Sequence, residues 1–387
     1  MSDDMIYFDN AATTCPKPRS VYNAVSRAMR EDCGNPGRGA HRLSRRAAEV
    51  VFGCREAIAE FAGLDDPSGV VFTPNATAAI NTAIKGVLRE GDHVLISDME
   101  HNAVYRPVYR LAKEGKISYD VFPTFTEDAS PASEQRILDA IGRRIRPNTR
   151  AVVCAHASNL CSVVLPAKAI GKLCRDKGIL FILDASQSLG HLPVSMPEMN
   201  IDVLCAPGHK GLYGPMGSGF LAIRPGLRLD TLAEGGNGVR SLEGEMPDEA
   251  PERYEVGTLA VPALAGLSAG VREVTERGVE AIGAHDGFLF SHLRDRLDSI
   301  RGVKILAPER VGSVLSFCLD GIPSERAADL LDTRGSAVRA GFHCSALGHR
   351  TLGTSEDGAV RVSFGMFNTL RETDRFAAQV ASLLRDR

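Results

Sequence analysis

Between residues 70 and 225 the sequence alternates short apolar runs with longer amphipathic stretches. The apolar runs, rich in β-branched residues, read GVVFTP, DHVLIS, ISYDVFP, TRAVVCAH, ILFILDA, IDVLCA and GFLAIRP. The stretches between them include ATAAINTAIKGVLRE, AVYRPVYRLAKEG, SEQRILDAIGRRI and PAKAIGKLCRDKG, which are typical of helices. Continuous apolar strands separated by helices predict an α/β fold with a mostly parallel central sheet covered on both faces. Ligands of such sheets collect at the carboxyl ends of the strands, so we expect functional residues just after these runs.

The sequence changes character after about residue 270. A helix-like stretch, AGVREVTERGVEAIGAHDGFLFSHLRDRLDSI, leads into the strand-like segments VGSVLSFCLD, SAVRAGFHC and GAVRVSFG and a closing helix, TLRETDRFAAQVASLLRD. A single core usually stops growing near ~250–300 residues, which is fewer than the 387 residues of this chain. We therefore expect a large domain over residues 16–270 and a smaller α+β domain formed by residues 1–15 and 271–387.

Charge and composition exclude several classes of function. The formal net charge is −3, which gives no electrostatic footprint for nucleic acid or an anionic membrane. The start, MSDDMIYFDNAATT, lacks the basic and apolar regions of a signal peptide, and no apolar run approaches the roughly 18 residues that span a bilayer. We expect a cytoplasmic protein without nucleic-acid or membrane partners.

The nine cysteines follow neither a disulfide pattern nor a zinc-binding pattern. Their number is odd, none forms a C-x-x-C pair, and most lie in apolar segments of the sequence such as VVCAH or LSFCLD. Free cysteine is among the most buried residue types, so the default interpretation of each is a reduced structural residue. We predict no metal site.

Three features at strand ends suit pyridoxal 5'-phosphate. Asp184 ends the apolar run ILFILDA, Lys210 follows IDVLCA within the glycine-flanked PGHKG, and FTPNATAAIN opens a helix with small and hydroxyl residues. This cofactor needs a lysine for a Schiff base, a carboxylate for its ring nitrogen and a cradle for its phosphate. Taken singly, the aspartate reads as a loop residue or helix cap and the lysine as part of a turn. Together they predict a cofactor site, with the phosphate at the helix start around Asn75, Ala76 and Thr77.

These residues resemble the class V aminotransferase family of fold type I pyridoxal-phosphate enzymes, in particular the group II cysteine desulfurases and selenocysteine lyases. The resemblance covers nearly the whole chain, from YFDNAATT through RGAHRLSRRA to the C-terminal segments. It implies a homodimer in which Thr258 of YEVGTLAVPA reaches the phosphate of the other subunit's cofactor. The further cofactor-binding residues that it implies are His101 stacking on the ring, Asn159 and Gln187 near the phenolic oxygen, Asp184 at the ring nitrogen, His209 at the phosphate and Lys210 as Schiff-base lysine.

The resemblance also assigns the substrate end of the site. It makes Arg361 of GAVRVSFG the residue that binds the substrate α-carboxylate, a task that suits the planar guanidinium of arginine. The local sequence alone favours an exposed arginine on a strand. Asn159, Arg339 and Ala12 complete the predicted substrate-binding set. Cys344 of RAGFHCSALG becomes the sulfur-accepting nucleophile, with Lys210 and His101 as the other catalytic residues. By itself, His101 reads as a helix cap or surface residue.

Three positions depart from the family's pattern. Pro207 stands where a serine or threonine usually binds phosphate, so a hydroxyl and an N–H group are lost, and Ala76 replaces a frequent threonine. Phe342 replaces the first histidine of an Arg-x-Gly-His-His-Cys pattern. We expect the first two departures to weaken cofactor retention and the third to alter access or partner docking.

The predicted activity is removal of sulfur from L-cysteine to give L-alanine, with the sulfur held as a persulfide and passed to an acceptor protein or small thiol. A free thiol with a pKa near 8.5 is only about a tenth ionised at neutral to slightly alkaline pH, and we expect Arg339 and His343 to raise that fraction. The alternatives are a selenocysteine lyase acting on L-selenocysteine, another class V enzyme such as a C–S lyase or epimerase, and a non-catalytic dimeric scaffold.

Overall fold

A seven-stranded sheet forms the centre of the protein. The computed structural model describes residues 5–37, 39–126, 130–307, 309 and 312–385. The strands of the central sheet are β2 (Val70–Thr73), β3 (His93–Ser97), β4 (Ser118–Phe122), β5 (Thr149–Ala155), β6 (Leu180–Asp184), β7 (Val203–Pro207) and β8 (Gly219–Ile223). They lie in the order β2-β8-β7-β6-β5-β3-β4. The pairs from β4 to β7 are parallel, and β8 runs antiparallel to both β2 and β7. The mostly parallel α/β sheet is therefore confirmed.

Helices cover both faces of this sheet. The helices packed around the sheet are α1 (Arg19–Glu31), α2 (Arg42–Ala62), α3 (Ala76–Val87), α4 (Asn102–Lys113), α5 (Glu134–Gly142), α6 (Ala167–Lys177) and α7 (Val261–Arg277). Alternate strand residues enter different cores: Phe72 and Val152 belong to one apolar cluster, whereas Val71 and Val153 belong to the other. Burial on both faces explains why the inner strands form continuous apolar runs, whereas β4 at the sheet edge is mostly only partly buried.

The C-terminal part forms a second, smaller core. Its strands are β9 (Val303–Ile305), β10 (Val314–Leu319), β11 (Ser336–Ala337) and β12 (Val360–Ser363), and its helices are α8 (Val279–Asp298), α9 (Ser324–Asp332), α10 (Ala346–Thr351) and α11 (Leu370–Arg385). Strands β9, β10 and β12 form an antiparallel sheet in the order β12-β10-β9. The N-terminal strand β1 (Ile6–Tyr7) pairs with β11, and Ile6 and Phe8 are buried in this core. The segments agree with an α+β unit, while the domain boundaries 16–270 and 1–15 with 271–387 stay a prediction.

The structure refines one local prediction in this part and contradicts another. The helix-like stretch after residue 268 is divided at Gly278, whose φ of 82° ends α7 before α8 begins. Of SAVRAGFHC, only Ser336 and Ala337 form a strand. Gly341, His343 and Cys344 have φ values of 90°, 49° and 54°, so the chain turns there instead of extending.

The sheet brings the predicted polar residues to one edge. His101 follows β3, Asn159 follows β5, Asp184 ends β6, and Lys210 follows β7. Because these four strands are parallel neighbours, their carboxyl ends meet. Within the described ranges, none of the helices has the length and apolar character that crossing a membrane requires.

Candidate active site

A cavity of about 190 Å³ lies at the carboxyl edge of the central sheet. Eight of the nine predicted cofactor residues line it: Ala76, Thr77, His101, Asn159, Asp184, Gln187, His209 and Lys210. The structure therefore brings together residues that are separated by up to 134 positions in the sequence. Thr258 does not line it, since it lies exposed on a different cavity together with Asn35.

Asp184 is held with one carboxylate oxygen available to the cavity. It is only 4% exposed. Its Oδ1 accepts hydrogen bonds from the backbone N–H of Ser186 at 2.9 Å and from the Ser186 hydroxyl. No described residue donates to Oδ2. This oxygen is therefore free to accept a hydrogen bond from the protonated ring nitrogen of the predicted cofactor. The position at the end of β6 follows from the apolar run that precedes it.

Lys210 has the free-base character that the predicted chemistry needs. Burial lowers the pKa of its amine to about 8. The negative charge of Asp184 opposes this change, and the guanidinium groups of Arg361 and Arg339 add to it. About a tenth of the amine is then uncharged at pH 7 and about half at pH 8, which supplies the free base that a nucleophile or base requires.

His101 both caps a helix and lines the cavity. Its Nδ1 accepts a hydrogen bond from the backbone N–H of Ala103 at 3.0 Å, so it is the N-cap of α4. Burial lowers the pKa of its imidazole, with Lys210 contributing in the same direction and Asp184 opposing. The two interpretations that the sequence left open are therefore compatible, and the ring is neutral near pH 7.

The start of α3 forms an anion cradle. Asn75 caps this helix, with its Oδ1 accepting from the backbone N–H of Ala78 at 2.9 Å. The first helical residues, Ala76 and Thr77, line the cavity, and a helix N-terminus favours phosphate. A Cβ atom on Gly219 would come within 2.6 Å of the Asn75 backbone, so only glycine permits this close approach. Pro207, the last residue of β7, lines the same cavity. As expected, it offers neither a hydroxyl nor a backbone N–H group to a phosphate.

One buried nitrogen of a residue that lines this cavity has no hydrogen-bond partner. Among the described residues, Nδ1 of His209 has no hydrogen-bond partner. Burial lowers the pKa of this histidine to about 4, and the nearby Lys210 and Lys17 act in the same direction. A buried donor without a partner is costly in free energy. An anionic group in the cradle would satisfy it, so the residues present fit pyridoxal phosphate.

Asn159 and Gln187 connect the cavity to neighbouring segments. The Asn159 side-chain amide donates to the backbone carbonyl of His343 at 2.6 Å, and that of Gln187 donates to the carbonyl of Ala11 at 3.0 Å. The segment containing Ala12 thus lies against Gln187. Both amides tie segments of the small core to the cavity wall.

Arg361 is a buried cation with one unpartnered nitrogen. It is 3% exposed. Its guanidinium donates to Oδ1 of Asp9 at 3.0 Å and to the carbonyl of Asn159 at 2.9 Å. Its Nε has no partner in the described part of the chain. The local prediction of an exposed strand arginine was wrong, because β12 is buried on both sides. The geometry suits a carboxylate clamp.

Arg339 lies beside this clamp but in a different environment. It is exposed, and its guanidinium lies 3.8 Å from Oδ2 of Asp9. Its backbone exchanges hydrogen bonds with Arg361, with N–O distances of 2.7 and 3.2 Å. A direct contact of Arg339 with substrate stays a prediction.

Cys344 is an exposed thiol on a segment tied to the cavity rim. The backbone N–H of Asn102 donates to the Cys344 carbonyl at 2.7 Å. On the other side, Asn159 holds the carbonyl of His343. Two consecutive non-glycine residues with left-handed backbone conformations are unusual, and they persist only where surrounding contacts enforce them.

His343 does not supply charge to this thiol. Its ring stacks on His349 with 5.6 Å between centroids. Burial lowers the pKa of His343 to about 2, with Arg361 and His349 acting in the same direction. The imidazole is neutral near pH 7 and adds no positive charge beside Cys344; a raised thiolate fraction stays a prediction. Phe342 is 48% exposed on the same segment and contacts the His349 ring edge-on.

The structure adds three residues that sequence reasoning missed. Asp9 pairs with Arg361, Lys17 donates to the backbone carbonyl of His209 at 2.8 Å, and Glu100 is fully buried just before His101. The available signal was a charged residue beside residues assigned to the site: Asp9 in YFDNAATT, and Glu100 next to His101 in SDMEHNA. Arg38, the first residue of RGAHRLSRRA, lies outside the described residues; the rest of this segment leads into α2 as expected.

Comparison with known proteins gives a consistent result. A family model described as aminotransferase class-V matches residues 6–376. A probable cysteine desulfurase of Methanothermobacter thermautotrophicus is 33% identical over 377 residues, which cover 95% of this chain and 92% of that protein. A cysteine desulfurase of Synechococcus elongatus is 33% identical over 386 residues; these are 97% of this chain but only 60% of that longer protein. The solved apo structure of a cysteine desulfurase from Thermococcus onnurineus NA1 has a TM-score of 0.90 and 28% identity, covering 100% of this chain and 96% of that one. The chain belongs to the class-V aminotransferase family.

Proposed function

We propose that the protein is a pyridoxal-phosphate-dependent cysteine desulfurase that converts L-cysteine to L-alanine and takes the sulfur on Cys344. One observation carries the proposal: an exposed thiol is tied to the rim of a cavity that contains a lysine with a lowered pKa and lies beside a buried arginine. The relatives named above as cysteine desulfurases support the same activity.

Different residues of the cavity would contact different parts of the cofactor. Asp184 would contact the ring nitrogen, His101 the ring face, and Asn159 with Gln187 the phenolic oxygen. The amides of Ala76 and Thr77, together with His209, would hold the phosphate, and Lys210 would bind the aldehyde carbon. When bound, pyridoxal phosphate withdraws electrons from the substrate Cα.

The protein's own side chains would then perform the remaining tasks. Arg361 binds the substrate carboxylate and so orients the bonds at Cα. Lys210, once free, takes the Cα proton, because its amine is partly uncharged near pH 7. Cys344 attacks the substrate sulfur: an S–S bond forms as the substrate C–S bond breaks. The product carbon gains a proton and leaves as alanine. L-cysteine plus thiol gives L-alanine plus persulfide, so no external oxidant is needed.

We further propose a cytoplasmic homodimer. The support is Thr258, which is exposed and does not line the cofactor cavity of its own chain, as expected of a residue that serves a second subunit. The short connection between Cys344 and the strand of Arg361 limits the reach of a persulfide. A sulfur acceptor, either a protein or a small thiol, would therefore approach Cys344 at the cavity mouth.

The test is the product balance from L-cysteine under reductant. The proposal predicts one alanine for each sulfide, whereas pyruvate and ammonia would identify a C–S lyase of another kind. The variant C344A separates the remaining alternatives. A desulfurase loses turnover of L-cysteine but keeps turnover of L-selenocysteine, whose selenium leaves without a thiol acceptor. Retention of both activities would exclude Cys344 as the acceptor, and absence of all turnover by the wild type would favour a scaffold.

A further inference from the structure

Glu100 is a carboxyl group buried behind the candidate active site. Its side chain is 0% exposed. Its Oε1 accepts hydrogen bonds from the backbone N–H of Ala155 at 3.0 Å and from the Ser97 hydroxyl. Its Oε2 is buried without a hydrogen-bond partner among the described residues. The charged side chain that acts on it is Asp184, another carboxylate, whose negative charge opposes its ionisation.

Glu100 lies between the ends of two central strands and the segment that contains Cys344. Its side chain connects the end of β3, through Ser97, to the end of β5, through Ala155. It directly precedes His101. Its own backbone carbonyl accepts a hydrogen bond of 3.5 Å from the Ser345 hydroxyl, next to the bond between Asn102 and the Cys344 carbonyl. A shift of this carboxyl group would therefore move both the stacking histidine and the nucleophile segment.

We propose that Glu100 is a positioning residue that acts as a neutral carboxylic acid, fixing His101 and the Cys344 segment without adding a second negative charge beside Asp184. A fully buried carboxylate without a cation is costly, so such a group keeps its proton instead. Burial and Asp184 accordingly raise the pKa of Glu100 to about 8. The inference rests on the proposed function only for what the positioned residues do.

The titratable groups near Glu100 do not produce the pH dependence that ionisation of Glu100 would cause. On β5, burial holds the pKa of the Cys154 thiol well above its ordinary value. Burial lowers that of His101, so neither group changes charge between pH 7 and 9. Lys210 titrates near pH 8 but is present in both wild type and a Glu100 variant. A difference between the two proteins therefore reports Glu100.

The first test is thermal unfolding of the cofactor-free protein from pH 5 to pH 9 for wild type, E100Q and E100L. The folded pKa of Glu100 lies above its unfolded value, so the wild type loses stability as the pH rises to about 8. E100Q keeps the shape and the acceptor but cannot ionise. Its Tm should rise relative to wild type by several degrees between pH 5 and 8 and then stay level. E100L, which lacks the acceptor, should melt below E100Q at every pH. Parallel curves for E100Q and wild type would overturn the proposal.

The second test uses the loaded enzyme. The ratio of kcat/KM for E100Q to that for wild type should rise from pH 7 to pH 9, whereas E100L should lose kcat more than it raises KM. A ratio that is flat or falls with pH would refute the neutral role. If the wild type fails to convert L-cysteine, the proposed function is wrong, and the unfolding curves still decide the state of Glu100.

Discussion

Substituting Arg361 by lysine tests how the site recognises its substrate. The guanidinium is 3% exposed, donates to Asp9 and to the Asn159 carbonyl, and retains an unpartnered Nε. R361K keeps the positive charge near Lys210 but removes the fork that binds a carboxylate through two parallel hydrogen bonds. One hydrogen bond to a charged group is worth about 1.5–3 kcal/mol. We therefore expect kcat/KM for L-cysteine to fall by about 10- to 150-fold, since ~1.4 kcal/mol corresponds to a factor of ten.

A matched ligand and a matched variant sharpen this experiment. Cysteamine is L-cysteine without its carboxylate, so its binding, followed through the absorbance of the bound cofactor, should be the same in R361K and wild type. The control variant is R339K. Arg339 is exposed and forms only a loose pair with Asp9 at 3.8 Å, and exposed pairs contribute about 0–1 kcal/mol. R339K should therefore cost less than R361K. Unchanged kinetics in R361K, or a larger loss in R339K, would refute the assignment of the clamp.

Three further predictions follow from contacts around the site. K17M removes the ammonium group that donates to the His209 carbonyl and should lower the fraction of pyridoxal phosphate retained after dialysis; full retention would contradict this role. E255Q weakens the buried, doubly hydrogen-bonded pair with Arg55 and should reduce the free energy of unfolding by up to about 3–5 kcal/mol in urea, whereas a loss below about 1 kcal/mol would show that the pair is dispensable. K210M should raise the Tm of the cofactor-free protein more at pH 7 than at pH 9, because the folded pKa of Lys210 is lowered to about 8 and the cost of burying the amine decreases as the pH rises above that value; an equal rise at both pH values would contradict the lowered pKa.

Most of the central sheet was predictable because its strands, apart from the partly exposed edge strand β4, are buried on both faces. Each of the seven apolar runs between residues 70 and 225 forms a strand, since this pattern reports burial directly. The position of Asp184 and Lys210 at one edge then follows from the parallel arrangement. The strand predicted over SAVRAGFHC failed because its backbone conformation is enforced by distant contacts, such as that from Asn159 to His343.

Pairings across the whole chain were beyond local sequence reasoning. The contact between Asp9 and Arg361 joins positions 352 residues apart, and it reverses the local interpretation of Arg361 from exposed to buried. The neutral state of His343 likewise depends on its burial and on Arg361 and His349 nearby, which the text RAGFHC does not reveal. His101 shows the opposite case, because its helix-capping role was locally readable and is compatible with its place in the cavity.

The location of the transferred sulfur tests the central claim most directly. Cofactor-loaded protein is given one equivalent of L-cysteine without reductant, alkylated, digested and analysed by mass spectrometry. The proposed function predicts alanine formation with one additional sulfur atom on the peptide that contains Cys344. The variant C33A, which lacks the other exposed cysteine, should give the same result, and C344A should carry no additional sulfur. Alanine formed with the sulfur on another cysteine, or with none on the protein, would contradict the account.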